Sequence, residues 1–263
     1  MMSKETKEKV VPVTTIELYP EEVKVITVNE KGIKAIKNTN IENISAIFMK
    51  EQAMETPLLP SQWGVVKYYR KNNYEGYVLT TPATERKITI KGNFNRDNSI
   101  EVTIPVPPLL WIFEVNTSPD GAKRLTHSMM YVLKHELLSL KDTVLHAPYP
   151  NIGIGHGICW GRENPEVPSA KSIQNIPARF FSQPFNFDLS SNRVKPMDYS
   201  NDDLGIRQSG TDCAIYHMLD TAEKLAAAKE AGEAFSYPFD TLKTVGTSKV
   251  EDLIRSYMPM IFR

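Results

Sequence analysis

Leu145-His146-Ala147-Pro148-Tyr149-Pro150-Asn151-Ile152-Gly153-Ile154-Gly155-His156-Gly157-Ile158-Cys159-Trp160-Gly161 is the stretch from which the rest of the chain reads outward. It holds one of the two cysteines, two of the five histidines and four of the thirteen glycines. Prolines and glycines at this density exclude a helix or a long strand, so the stretch is a structured loop. Segments before it read as sheet able to carry such a loop, and segments after it as helix able to buttress it. It is the candidate site.

The whole chain sets wide bounds. Its 263 residues suffice for one large domain or two modest ones, each able to bury a core without disulfides. Lys plus Arg balances Asp plus Glu at 31 each, so no global field draws the protein to nucleic acid or to an anionic membrane. Met1 to Lys9 is charged, with no apolar centre, and no later run is long enough to cross a bilayer. Cys159 and Cys213 lack Cys-x-x-Cys spacing and are too few for a secreted disulfide framework. A soluble, cytoplasmic protein with both thiols reduced is expected.

In chain order, Val23 to Val28 has the partial alternation of a half-buried strand, and Asn29 to Gly32 reads as a turn. Ile44, Ile47, Phe48 and Met54 fall at near-helical spacing, which predicts a short amphipathic helix over Asn43 to Met54. Trp63 to Arg70, Tyr74 to Thr81, Arg86 to Lys91 and Ile100 to Ile104 are short β segments of a meander. Leu109 to Val115 is the most continuously apolar run, as befits a central strand covered on both faces. Arg124 to Leu140 is ambiguous, with periodicity leaning to helix. Four phenylalanines between Phe180 and Phe187 supply packing, and residues 188 to 210 look polar and irregular. Thr211 to Ala231 is a helix with Thr211 as the cap candidate and Gly232 as the stop, and Val250 to Tyr257 is a shorter one.

The loop offers specific chemistry. A cysteine thiolate is a strong nucleophile that splits a hard acyl transfer into two easier steps. Cys159 lies between Gly157 and Gly161, where bulky neighbours do not block access. Attack on an acyl carbon creates an oxyanion, and a donor already in place is worth about 100- to 1,000-fold in rate. Asn151, held by Pro150, can supply a neutral amide for that task. Cys213, with Ala214, Ile215 and Leu219 around it, reads as a core residue inside the helix, and His217 as a surface or satisfied core residue.

Other readings of the same residues are weaker. His146, His156 and Cys159 could belong to a zinc site, but no fourth ligand stands at familiar spacing. Gly153, Gly155 and Gly157 lack the Lys and Ser or Thr of a phosphate cradle and read as turn residues. Lys67, Arg70 and Lys71 among Tyr68, Tyr69 and Tyr74 read as a solvated strand face rather than a nucleic-acid surface.

Pro150-Asn151-Ile152 followed by Gly157-Ile158-Cys159 resembles the His-Pro-Asn-Ile and Gly-x-Ile-Cys elements of the ubiquitin-conjugating enzymes, at the same Asn-to-Cys spacing. Pro107-Pro108-Leu109, Asp142-Thr143-Val144-Leu145, Cys159-Trp160-Gly161 and Arg179-Phe180-Phe181-Ser182 extend the resemblance to a bacterial branch of plasmid and phage gene clusters. This is prokaryotic family D, the PRTRC system protein B type. The likeness spans roughly residues 60 to 190.

The resemblance implies an α+β fold of the ubiquitin-conjugating (UBC-like) kind, an antiparallel β meander with flanking helices, and it makes residues 127 to 135 a strand. A 1–60 elaboration of strands and a short helix would precede a 61–190 core, and a helical extension would fill 191–263. It further implies that Cys159 carries the C-terminus of a ubiquitin-like protein as a thioester, received from an adenylating activating enzyme and passed to an amine. Asn151 would stabilise the oxyanion or position the loop, with Tyr149, Pro150, His156, Gly157 and Trp160 in support. No cofactor or metal is needed, and a metal-dependent isopeptidase of the same gene cluster is a further expected partner.

Tyr149 stands where the family has its histidine. No acid that would deprotonate an incoming lysine is located; Glu163 and Asp188 are the nearest guesses. The alternative is a catalytically silent scaffold that keeps the fold to bind a ubiquitin-like or other plasmid or phage partner. Transfer to a thiol or a lipid amine also stays open.

Overall fold

The computed structural model describes residues 13–19, 22–40, 53–59, 64–92, 99–153, 155–162 and 164–262, which fall into two compact units divided between Ala53 and Met54. The first unit is an antiparallel three-stranded sheet of β1 (Val13–Leu18), β2 (Val23–Val28) and β3 (Lys34–Thr39). The turn predicted at Asn29 to Gly32 is present. Asn29 Oδ1 accepts from the backbone N–H of Lys31 and Ile33, both at 3.0 Å.

The second unit is built on a seven-stranded sheet. Its strands are β4 (Met54–Glu55), β5 (Val65–Lys71), β6 (Tyr74–Thr81), β9 (Leu109–Thr117), β10 (Lys123–Val132), β11 (Thr143–His146) and β14 (Thr244–Lys249). Every neighbouring pair is antiparallel. Within it β5, β6, β9 and β10 follow one another as a meander, and a separate hairpin of β7 (Thr84–Lys91) and β8 (Ser99–Val106) fills the connection between β6 and β9. A second hairpin, β12 (Met197–Asn201) with β13 (Ile206–Thr211), follows the site. Among the described residues the helices are few: α1 (Ala170–Ile173), α2 (Ile176–Ser182), α3 (Ala214–Ala231), α4 (Val250–Tyr257) and α5 (Pro259–Phe262). The protein is thus strand-rich α/β with mostly antiparallel sheets.

β9 organises the core because Leu109 to Phe113 and Val115 are fully buried. Trp111, Phe113 and Val115 pack with Tyr149, Phe180, Phe185 and the apolar face of α3. Leu110 and Ile112, pointing to the other side of the pleat, pack with Leu253, Ile254, Met258 and Ile261 of the C-terminal helices. Burying a side chain of this size stabilises by about 1.5–3 kcal/mol, so a strand covered on both faces contributes heavily to the stability of the unit. Gly76 on β6 permits the close approach, since a Cβ there would lie 2.5 Å from Met258 Sδ and 2.7 Å from Ile261 Cδ1.

Several expectations need correction. The helix expected over Asn43 to Met54 lies outside the described residues up to 52, and Met54 itself belongs to strand β4. The stretch 191–263 is not only helical: it contributes the β12–β13 hairpin and β14, which pairs with β11 at the edge of the main sheet. The hairpin also replaces the irregular chain expected over residues 197 to 210, while 188 to 196 are irregular as read from sequence. Thr211 ends β13, and Cys213 is the N-cap of α3 rather than a residue within it. It is nonetheless buried, with Sγ 3.4 Å from Ser190 Oγ. Lys67 is no solvated residue: only 7% exposed, it donates to the Thr56 carbonyl at 2.6 Å and pairs with Glu55 at 3.2 Å. Residues 127 to 132 are strand, as the resemblance implied and periodicity did not.

Candidate functional site

The chain leaves β11 at His146 and crosses Ala147, Pro148, Tyr149 and Pro150, all buried, before reaching Asn151. It then folds back on itself. Ile152 pairs with Ile158, Gly153 N–H donates to the Gly157 carbonyl at 2.8 Å, and Cys159 N–H donates to the Asn151 carbonyl at 2.8 Å. These bonds make a miniature antiparallel ribbon in which Asn151 and Cys159 stand directly opposite each other. Directly opposed residues send their side chains to the same face, with Cβ atoms about 4.5–5.5 Å apart. Ile152 and Ile158 take the other face and are buried. The ribbon is sewn to the sheet where Met129 pairs with Gly157 and Ile158 N–H donates to the Ser128 carbonyl at 2.8 Å.

Cys159 is exposed. Asn151 is half-buried, and its Nδ2 donates to the Pro184 carbonyl at 3.2 Å, which ties the loop to the segment after α2. One amide N–H is occupied by that bond and the second is left over. Trp160, 8% exposed, donates from Nε1 to Ser128 Oγ at 2.9 Å and meets Phe180 edge-on. Gly161 has φ of +80°, a left-handed value that glycine adopts without strain and that lets the chain turn away after Trp160.

Tyr149 braces the loop by packing. It is 1% exposed, edge-on to Phe181 and stacked on Phe185, and its hydroxyl has no hydrogen-bond partner. Burial drives its phenol well above the ordinary range of 10. His156 occupies a left-handed turn position with φ of +67°. Its ring lies 4.5 Å from that of His146 and 4.9 Å from that of Tyr131, centroid to centroid. Burial, then His146 and the Arg193 guanidinium, hold its pKa down to about 4. Burial likewise lowers the pKa of His146, assisted by Arg193 and Lys243. Both imidazoles are therefore neutral at neutral pH.

Arg193 was not found from sequence. It is 2% exposed, and its Nη2 donates to the carbonyl of Ile152 at 2.9 Å and to that of Gly153. It therefore satisfies the outer edge of the ribbon. Nothing in its polar surroundings along the chain distinguishes it from a surface arginine. Of the two acids considered for lysine activation, Glu163 lies outside the described residues, and Asp188 is exposed, with Oδ2 2.9 Å from Asn186 Nδ2. Among the described residues, no group of three His, Cys, Asp or Glu could hold a metal ion. No described helix is long and apolar enough to cross a membrane.

A strand-rich α/β unit with mostly antiparallel sheets fits an E2-like family. A family model described as prokaryotic E2 family D matches residues 43–204, more than half of the chain, and the chain belongs to that family. Membership carries a role of the ubiquitin-conjugation type in general terms, with a ubiquitin-like protein and an activating enzyme as partners. No curated protein and no solved structure matches the chain.

Proposed function

We propose that this protein is a thioester carrier of a bacterial, phage or plasmid ubiquitin-like conjugation system. Cys159 attacks the C-terminal acyl carbon of a ubiquitin-like protein delivered by an adenylating activating enzyme, the bond to the activating group breaks and that group leaves, and Cys159 holds the acyl group as a thioester until it yields it to an acceptor amine. Asn151 offers its remaining amide N–H to the oxyanion while its other N–H fixes the loop through Pro184. Tyr149, Pro150, His156, Gly157 and Trp160 set the ribbon's shape. A metal-dependent isopeptidase of the same gene cluster would reverse the product.

One observation supports this reading above others: the thiol at 159 reaches the surface directly across a hydrogen-bonded ribbon from Asn151. Incubation with the cognate activating enzyme, ubiquitin-like protein and ATP should give a thiol-sensitive adduct that Cys159→Ala lacks. The absence of an adduct with the wild type, or one unchanged in the variant, rejects the carrier role.

A second reading, a silent scaffold on a UBC-like fold, draws on Tyr149, whose buried phenol takes the place of the family's histidine. Slow alkylation of Cys159 in the folded protein, at the rate of an unactivated and hindered thiol, would favour it.

A further inference from the structure

Glu114 is the only acid in β9, and it is buried completely. Three donors meet it there. Met260 N–H donates to Oε1 at 3.0 Å, while Thr126 Oγ1 and His127 Nδ1 lie 3.1 and 2.9 Å from Oε2. With the carboxylate accepting, the imidazole carries its proton on Nδ1 and leaves the Nε2 lone pair bare. Whereas the Glu114 side chain has no exposure, that of His127 is 39% exposed, so the ring is anchored at one nitrogen and open elsewhere.

Strand register carries this pair to the thiol. Glu114 on β9 is the partner of His127 on β10. Along the other edge of β10, Met129 pairs with Gly157, and Ile158 N–H reaches the Ser128 carbonyl. Continued by one residue, that register sets His127 opposite Cys159, and Cys159 in turn stands opposite Asn151 across the ribbon. The bulge in β10 lies between Leu125 and His127, beyond this position. Glu114, His127, Cys159 and Asn151 thus form a transverse row, and opposed residues of antiparallel neighbours send their side chains to one face. The flanking residues agree: Ser128 and Trp160, next to His127 and Cys159, meet on the opposite face through the Nε1–Oγ bond of 2.9 Å.

We infer that His127 is the base that activates the acceptor amine at the Cys159 thioester, and that Glu114 is the positioning residue that fixes its tautomer. The inference rests on the carrier reading and supplies a proton acceptor for the incoming amine. In the step, the amine nitrogen bonds to the thioester carbonyl carbon and its surplus proton passes to His127 Nε2. The carbon–sulfur bond breaks, an amide forms, and Cys159 leaves as thiolate. The imidazolium then returns its proton to the thiolate or to water, so no oxidant or further co-reactant is required. Positioned bases of this kind contribute about 100- to 10,000-fold.

Discharge tests the inference apart from loading. Wild type, His127→Ala and Glu114→Gln are loaded to completion with activating enzyme, ubiquitin-like protein and ATP, the ATP is removed, and free lysine is added. We expect His127→Ala to discharge at least about 100-fold more slowly and to recover with added imidazole, which a purely structural histidine would not do. Glu114→Gln should slow discharge and move the His127 ring proton off Nδ1 in ¹⁵N NMR. An adduct in His127→Ala that discharges at the wild-type rate overturns the base assignment alone. A wild type that forms no adduct overturns the carrier reading, and the base role falls with it.

Discussion

Arg193 shows how one buried side chain holds the site's shape. Replacing it by methionine keeps the volume but leaves the Ile152 and Gly153 carbonyls without their donor. We expect a loss of about 1–3 kcal/mol in chemical denaturation, the cost of orphaned buried acceptors. His156 and His217 make a second prediction, because burial holds both near pKa 4 against an ordinary 6.5. Below pH 6.5 the unfolded chain binds protons that the folded rings refuse, so the contribution of these two rings to stability falls between about pH 6.5 and about pH 4 and is flat below. Thermal melts across that window should show the decline, and His217→Gln should make it shallower. Cys159 and Asn151 were legible in sequence because proline and glycine fix the spacing between them. The places of Arg193, Glu114 and His127 were not, since these residues meet their partners only when distant segments align. The lone Glu within Leu109 to Thr117 was the one visible hint, as an acid in so apolar a run must find partners.

Among the elements, β10 is the instructive one. Ser128 to Val132 are all buried because β10 is covered on both faces, which erases the alternation that would have marked a strand. Its methionines and leucines then imitate a helical face, and only the family resemblance corrected that reading. The strands β6 and β9, with tighter turn signals at their ends, were placed closely by sequence alone. β14 was missed because Thr244 to Lys249 is polar and mostly exposed, a strand by virtue of the free edge of β11 rather than by its own pattern. The contact between β6 and the C-terminal helices gives a prediction at this scale. Gly76→Ala would push a methyl into Met258 and Ile261. A loss of about 1–3 kcal/mol is expected by denaturation, smaller if the Met258 side chain swings aside.

At the scale of the whole molecule, the C-terminal helices bind the fold to the site, since Met260 N–H holds Glu114 while Met258 and Ile261 seal the sheet. Truncation after Tyr257 removes two large buried side chains worth about 1.5–3 kcal/mol each. We expect a clear drop in melting temperature, with His127 losing its fixed tautomer in the same variant. The loop and the strands β5, β6 and β9 could be read from sequence because their signals are local, whereas Arg86 to Lys91 and Ile100 to Ile104, expected in the same meander, form a separate hairpin. The order of the seven strands could not, because the edge strands β4 and β14 join from opposite ends of the unit. The ribbon has one more consequence. The backbone N–H groups of Ile158 and Cys159 are already committed, to Ser128 and to Asn151. On the carrier reading neither of them could turn to an oxyanion formed at a Cys159 thioester, so that duty would fall to the Asn151 side chain, and stripping its amide should slow spillage to water and delivery to amine together.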